Sequence, residues 1–232
     1  MHLPRTVRAV VFDMDGLLVD TEAVYRDVMT VVAAERGHEM PFNLFRSMIG
    51  LTGPMSDRRM LNHFGEDYPV EAFNTDVRAR VEAACEVGVA LKAGVTELLD
   101  DLDAAGLPRA IATSSSPRGV QTHLGGSGIL PRFNAVIARG DYVHGKPSPD
   151  PFLVAAQALR IPAGDCLALE DSHNGVRAAA AAGMMTVMVP DLLEPSDEMR
   201  SLCVHIARNL HEVREMLAAQ WADQRAEGPR SK

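Results

Sequence analysis

The sequence predicts an α/β fold, a doubly wound and mostly parallel sheet carrying an inserted all-helical cap domain. Three observations support this. Short β-rich runs are continuously apolar rather than alternating, which is the pattern of strands covered on both faces. Segments with helix start and stop signals separate those runs. One long stretch, residues 20–91, breaks the rhythm and shows helical periodicity with no strand.

The first strand is expected within Val7–Asp13 (VRAVVFD). In the helical stretch, Val24, Val28 and Val31/Val32 share one helical face. Met48, Met55 and Leu61 form a less regular face, and Phe73, Val77, Val81 and Ala84/Cys85 form a clear stripe. Breaks at Gly37, Pro41, Gly50, Gly53-Pro54 and Gly65/Pro69 divide these helices. The stripes read as core packing rather than a cofactor box. Further strands are expected within Pro108–Ser114, Asn134–Ala138, Cys166–Asp171, Met185–Pro190 and Cys203–Ala207. Ser116 before Pro117 caps one intervening helix, and Pro149-Asp150-Pro151 opens another that runs to Leu159. Ser172 caps an Ala-rich helix that Gly183 stops. The domains expected are a discontinuous core of residues 1–19 and 92–232 around a helical cap of residues 20–91. The polar tail Asp223–Lys232 has no apolar period and is expected to fray.

Composition narrows the function classes. The chain has 232 residues, 47% hydrophobic and 23% charged, which is enough to bury a core without staples. Its 18 Gly and 14 Pro are too few for a low-complexity chain. The net charge of −8, with no basic stretch, argues against nucleic acid and against an anionic membrane surface. Cys85, Cys166 and Cys203 are widely spaced with no CxxC, so neither a disulfide framework nor a zinc site is expected. No secretory signal is visible, because Asp13 interrupts the short apolar run after Arg8. The stretch Ala178–Val189 falls well under the ~18 apolar residues a spanning helix needs. A soluble, cytoplasmic monomer or weak homo-oligomer is expected.

The polar residues at the strand ends carry the chemistry. Strand one ends in Asp13-Met14-Asp15-Gly16, strand two in Thr113-Ser114, and strand four in Glu170-Asp171; the third run leads to Lys146. Ligands of open α/β sheets bind outside the carboxyl ends of the strands, so these residues converge on one edge. Each alone has a commonplace reading as a turn, a helix cap or a surface lysine. Together and in this order they fit phosphoryl transfer. Clustered carboxylates call for a hard cation, and oxygen ligands select Mg²⁺. A Thr hydroxyl, backbone N–H groups and a Lys charge can hold phosphate oxygens. Asp15 is placed to donate and accept a proton while Asp13 attacks.

Asp13-Met14-Asp15-Gly16, Thr113, Lys146 in GKPSPDPF and Glu170-Asp171 in LEDSHNGVRAAAAAG resemble the four motifs of the haloacid dehalogenase superfamily, over residues 7–190. The helical stretch resembles the cap of its β-phosphoglucomutase-like branch. FDMDGLLVDTE, ATSS and AAGMMTVMVPD are also similar to sugar-phosphate phosphatases and pseudouridine-5′-phosphatase. The resemblance implies a Mg²⁺-dependent phosphatase for a small phosphorylated substrate, a sugar phosphate or nucleoside monophosphate. It implies that Asp13 forms an aspartyl-phosphate and that Asp15 first protonates the leaving oxygen, then activates water. Mg²⁺ would sit on Asp13, the Asp15 carbonyl and Asp171, with Glu170 direct or through water. Thr113, the Ser114 amide and Lys146 would bind the transferring phosphate.

Two departures weigh against the alternative of a phosphosugar mutase. Tyr25 stands where mutases of the branch carry His, and Thr52-Gly53-Pro54 replaces a basic residue expected after Gly50. Asp15 argues against dehalogenation. A phospho-receiver-like regulatory domain is the non-enzymatic alternative. Cleft-facing candidates in the helical stretch are Thr21, Glu22, Tyr25, Arg58, Arg78 and Arg80. The eight histidines show no metal-ligand spacing, and none is assigned a catalytic role.

Overall fold

The computed structural model describes residues 3–49, 51, 53–86 and 88–226, so Met1, His2, Gly50, Thr52, Val87 and the tail from 227 lie outside the described residues. The chain opens with strand β1 (Ala9–Phe12). Helices α1 (Thr21–Glu35), α2 (Phe42–Met48), α3 (Gly53–Phe64) and α4 (Val70–Glu86) follow without an intervening strand. Strands and helices then alternate: α5 (Val95–Ala105), β2 (Arg109–Ala112), α6 (Pro117–Leu124), β3 (Ala135–Ile137), α7 (Asp150–Leu159) and β4 (Cys166–Glu170). The chain ends with α8 (His173–Ala181), β5 (Met185–Met188), α9 (Asp197–Leu202), β6 (His205–Ile206) and α10 (Leu210–Ala226). Each strand lies inside its expected run. Ser116 and Ser172 cap α6 and α8 by accepting the N–H groups of Gly119 and Gly175, each at 3.1 Å. Helix α10 reaches Ala226, so the first residues of the polar tail continue a helix rather than fray.

All strand pairings are parallel, in the order β3-β2-β1-β4-β5-β6. The chain grows outward from β1 to one side, then returns to add β4 on the other. The β1/β4 border is therefore the topological switch point, where such sheets bind ligands.

The two faces of the sheet bury different side chains. Val10, Phe12, Ile111, Leu167, Leu169 and Val187 join one apolar cluster with α5 and α10. Ala9, Val11, Ala110, Ala112 and Ala168 join another with α7 and α8. The small residues allow the latter two helices to lie close to the strands.

The first cluster does not stop at the sheet. It continues through Met14, Leu17 and Leu18 into Val32, Phe73, Val77 and Val81 of α1 and α4. The α4 stripe is buried as its period predicts, except for the exposed Ala84. The other two faces are narrower than expected: Val31 is 50% exposed and Met55 is 55% exposed. The register of α1 points Val32 and Ala33 inward instead. Among the described residues no helix is long and apolar enough to cross a membrane.

Candidate active site

The parallel ladder runs past the strand ends into the polar residues. The N–H of Asp13 donates to the Leu169 carbonyl at 2.9 Å, and that of Thr113 to Ile137 at 2.9 Å. The order β2-β1-β4 therefore sets Thr113, Asp13 and Glu170-Asp171 side by side. Positions far apart in sequence share one edge because the strands that carry them are neighbours.

Carboxylate oxygens of Asp13, Glu170 and Asp171 lie within 4.8 Å of one another. The Lys146 ammonium bridges two of them, donating to Asp13 Oδ1 and, at 2.6 Å, to Glu170 Oε1. Lys146 reaches them from the loop before α7, with its Nζ 5.0 Å from the Phe152 ring centroid. Asp150 braces that loop by accepting from Ser148 Oγ at 2.7 Å and the His144 N–H at 2.9 Å. Glu170 Oε2 accepts the N–H groups of Asp171 and Ser172, each at 3.1 Å, and Ser172 Oγ at 3.0 Å. Both oxygens of Glu170 are thus satisfied by the protein. Two glycines make room: a Cβ at Gly16, whose φ is +85°, would strike the Asp171 carboxylate, and one at Gly175 would strike that of Glu170.

Electrostatics sets the site apart. Burial and the charge of Glu170 push Asp13 up to about 8, against the opposing pull of Lys146. Burial, then Glu170 and Asp13, push Asp171 well above the carboxylate range. Burial disfavours the Lys146 charge, yet Asp13 and Glu170 outweigh it and hold the ammonium above its ordinary value. Among the described residues no hydrogen bond reaches the Asp171 carboxylate or Asp13 Oδ2. Unpaired carboxylate oxygens packed beside one another suit a hard cation. Asp13, Glu170 and Asp171 form a buried acidic cluster that could hold such an ion, with Glu170 fixed by Lys146 and the start of α8.

The Asp15 side chain points elsewhere. Its carboxylate accepts from Ser115 Oγ at 2.7 Å and from His123 Nδ1 at 2.9 Å. Burial alone would raise this carboxyl, but the bonds from His123 and Ser115 reverse that and hold it below its ordinary value. The sequence reading assigns no histidine a catalytic role and does not foresee this contact of His123 with Asp15. Its signal is positional. Val120, His123 and Leu124 share the inward face of α6, the helix that starts at the Ser116-Pro117 cap.

Thr113 is buried, and its Oγ1 accepts the Ser115 N–H at 3.0 Å while Tyr142 donates to its carbonyl at 3.0 Å. Ser114 is exposed, and its carbonyl accepts from Arg139 Nε at 3.0 Å. The cleft-facing candidates divide. Thr21 is buried at the start of α1, while Glu22, Tyr25 and Arg78 line a cavity of about 350 Å³ among α1–α4. Arg58 instead pairs with Glu66 at 3.0 Å, and Arg80 grips Glu35 with bonds of 2.8 and 2.6 Å. Neither lines the cavity, because each faces solvent from its helix.

A family model of haloacid dehalogenase-like hydrolases matches residues 7–183. The chain belongs to this family. The hydrolase is 37% identical over 193 residues to a probable pseudouridine-5′-phosphatase of Drosophila melanogaster, covering 81% of this chain and 83% of that one. Its fold matches a haloacid dehalogenase family hydrolase of Deinococcus radiodurans, solved with phosphate and sodium, at a TM-score of 0.79 and 29% identity; the match covers 92% and 96% of the two chains. It also matches β-phosphoglucomutase of Clostridium difficile at a TM-score of 0.69 and 19% identity, over 94% and 100% of the chains, a likeness of fold alone. Family and phosphatase relatives together make the hydrolase a phosphoric monoester hydrolase.

Proposed function

We propose that the hydrolase removes phosphate from a small phosphorylated metabolite, a sugar phosphate or nucleoside monophosphate, through an aspartyl-phosphate on Asp13 and with Mg²⁺ as cofactor. The observation that carries this reading is the placement of Asp13 at the switch point, beside Lys146 and Asp171 and two residues from a separately held Asp15. When bound, Mg²⁺ supplies positive charge that offsets the repulsion between a carboxylate and a phosphate.

In the first half-reaction an Asp13 oxygen attacks phosphorus, and the bond from phosphorus to the ester oxygen breaks. The leaving oxygen takes its electron pair and a proton from Asp15. In the second half Asp15 accepts a proton from water as that water attacks phosphorus, and the bond to Asp13 breaks. Lys146, the Thr113 hydroxyl and the Ser114 N–H hold the phosphate oxygens. The two halves ask opposite protonation states of Asp15. Its bonds from His123 and Ser115 favour the anion, the form that accepts the proton from water. To act as an acid, Asp15 has to exchange those donors for the substrate oxygen.

Helices α1–α4, within residues 20–91, serve in this reading as a cap over a body formed by residues 1–19 and 92–232. Closing the cap excludes water and brings the leaving group to Asp15. The test is hydrolysis of p-nitrophenyl phosphate with Mg²⁺ by the intact chain and by Asp13→Asn. A loss of at least about 10⁴-fold in kcat is expected, with the melting temperature kept. Near-normal turnover in the folded variant would remove Asp13 from the reaction.

A further inference from the structure

The loop that follows β3 meets the end of β2 along three consecutive carbonyls. The Thr113 carbonyl accepts from the Tyr142 hydroxyl at 3.0 Å, the Ser114 carbonyl from Arg139 Nε at 3.0 Å, and the Ser115 carbonyl from the Arg139 N–H at 2.8 Å. A turn brings Tyr142 back toward β2. Asp141 closes that turn: its N–H donates to the Ala138 carbonyl at 3.0 Å and its Oδ2 accepts the Ala138 N–H at 2.8 Å, with Gly140 at φ +111°. Four residues after Tyr142 the same loop delivers Lys146.

A bond to a carbonyl also fixes an N–H. The C=O of one residue and the N–H of the next share a planar trans peptide and point in opposite directions. The Thr113 carbonyl is drawn to the β3 side, as is the Thr113 N–H, which donates to Ile137 at 2.9 Å. The Ser114 N–H therefore points the other way. In the order β3-β2-β1 that is toward the strand end bearing Asp13. Among the described residues the Ser114 N–H has no acceptor. The next peptide is different: behind the Ser114 carbonyl stands the Ser115 N–H, which already donates to Thr113 Oγ1 at 3.0 Å. A hydrogen bond to a carbonyl also polarises its peptide and strengthens the opposite N–H as a donor.

We propose that Tyr142 is a positioning residue: its hydroxyl, acting through the Thr113–Ser114 peptide, aims the Ser114 N–H at a phosphate oxygen and strengthens it as a donor. The Tyr142 ring packs with the small-residue cluster between sheet and α7, so ring and hydroxyl have separable duties. This inference rests on the phosphatase reading for the presence of the phosphate, while the aim of the N–H is measurable without turnover.

Kinetics and NMR on the full chain test it. Tyr142→Phe keeps the ring and removes the hydroxyl. With p-nitrophenyl phosphate and Mg²⁺, kcat should fall about tenfold, less than the roughly 10²–10³-fold cost of deleting such a donor outright. KM should stay within about twofold and the melting temperature within about 3 °C. Arg139→Lys, which loses a similar carbonyl bond behind an N–H already in use, should cost less. In the unliganded chain the Ser114 amide proton should move upfield in Tyr142→Phe, and its downfield shift on adding orthovanadate should shrink. An unmoved Ser114 proton, or a kcat loss no greater than that of Arg139→Lys, overturns the assignment. A wild-type chain without p-nitrophenyl phosphate turnover, in which the substitution still moves the Ser114 proton, would sink the phosphatase reading and keep the role of Tyr142. Turnover with an unmoved proton would do the reverse.

Discussion

At the strand ends, polar side chains are gripped by groups from several elements at once. Lys146 spans Asp13 and Glu170, Glu170 is fastened to the start of α8, and Asp15 is held by Ser115 and by His123 of α6. In the helices between β1 and α5, polar residues either pair on the outside, as Arg80 does with Glu35, or line a mostly apolar cavity. The difference follows from the two scaffolds. Neighbouring strand ends hold polar side chains in fixed positions, whereas packed helices leave a mostly apolar hollow with a few polar side chains on its wall.

The largest effect that sharpens this contrast is expected at Lys146. Lys146→Met leaves Asp13 and Glu170 facing each other with no cation between them. It should cost about 3–5 kcal/mol of stability and, for a chain of this size, lower the melting temperature by about 10 °C. It should also lower activity on every substrate alike. Calorimetry and a substrate panel check both, and a loss confined to one substrate would blur the contrast.

A comparable loss is expected in the helices. Phe73→Ala empties a fully buried site beside Tyr68, for about 3–5 kcal/mol. Because the apolar cluster is continuous from sheet to α4, unfolding should stay a single transition at lower temperature. Two separate transitions would show that the helices melt alone.

Mg²⁺ should act next, with a pH signature. Asp13, pushed up to about 8, and Asp171 keep protons when folded that the unfolded chain has lost. Without a cation, stability therefore falls as pH rises from about 4 towards 8. A hundredfold excess of Mg²⁺ over its Kd adds about 2.7 kcal/mol, or about 5–10 °C. At one fixed Mg²⁺ concentration the gain should be larger at pH 8 than at pH 5, because proton competition weakens binding at the lower pH. Equal gains at both would place the ion away from these carboxylates.

The smallest expected effect is at His123. His123→Ala should lower kcat by about 10–100-fold while KM stays within about twofold, and His123→Gln should restore part of the loss. A change in KM alone would move His123 out of the proton-handling role and into substrate binding.

Much of the sheet was legible because strands covered on both faces cannot hide. The runs around VVFD, AIA, CLALE and MTVM have no polar face, and polar residues begin where burial ends. The juxtaposition of Asp13, Lys146 and Glu170 was legible for the same reason, once each was placed at a strand end or just beyond one. Ser115 and His123 were harder to find. They meet Asp15 across 100 and 108 residues of chain, and neither carries a spacing that announces the contact. Helix phase was the other gap. Arg78 and Arg80 are two residues apart on α4 and point to opposite sides, so only one could line the cavity. Val31 and Val32 posed the same choice on α1, which packing against α4 decided.

The alanines on one side of the sheet have a consequence for the ammonium above the strand ends. Helix α7 rests on Ala110 and Ala112, and the loop bearing Lys146 enters that helix directly. A branched side chain at Ala112 would act as a wedge under α7 and lift Phe152 and the loop with it. A methyl group on the sheet thus sets how far Lys146 extends toward Asp13 and Glu170.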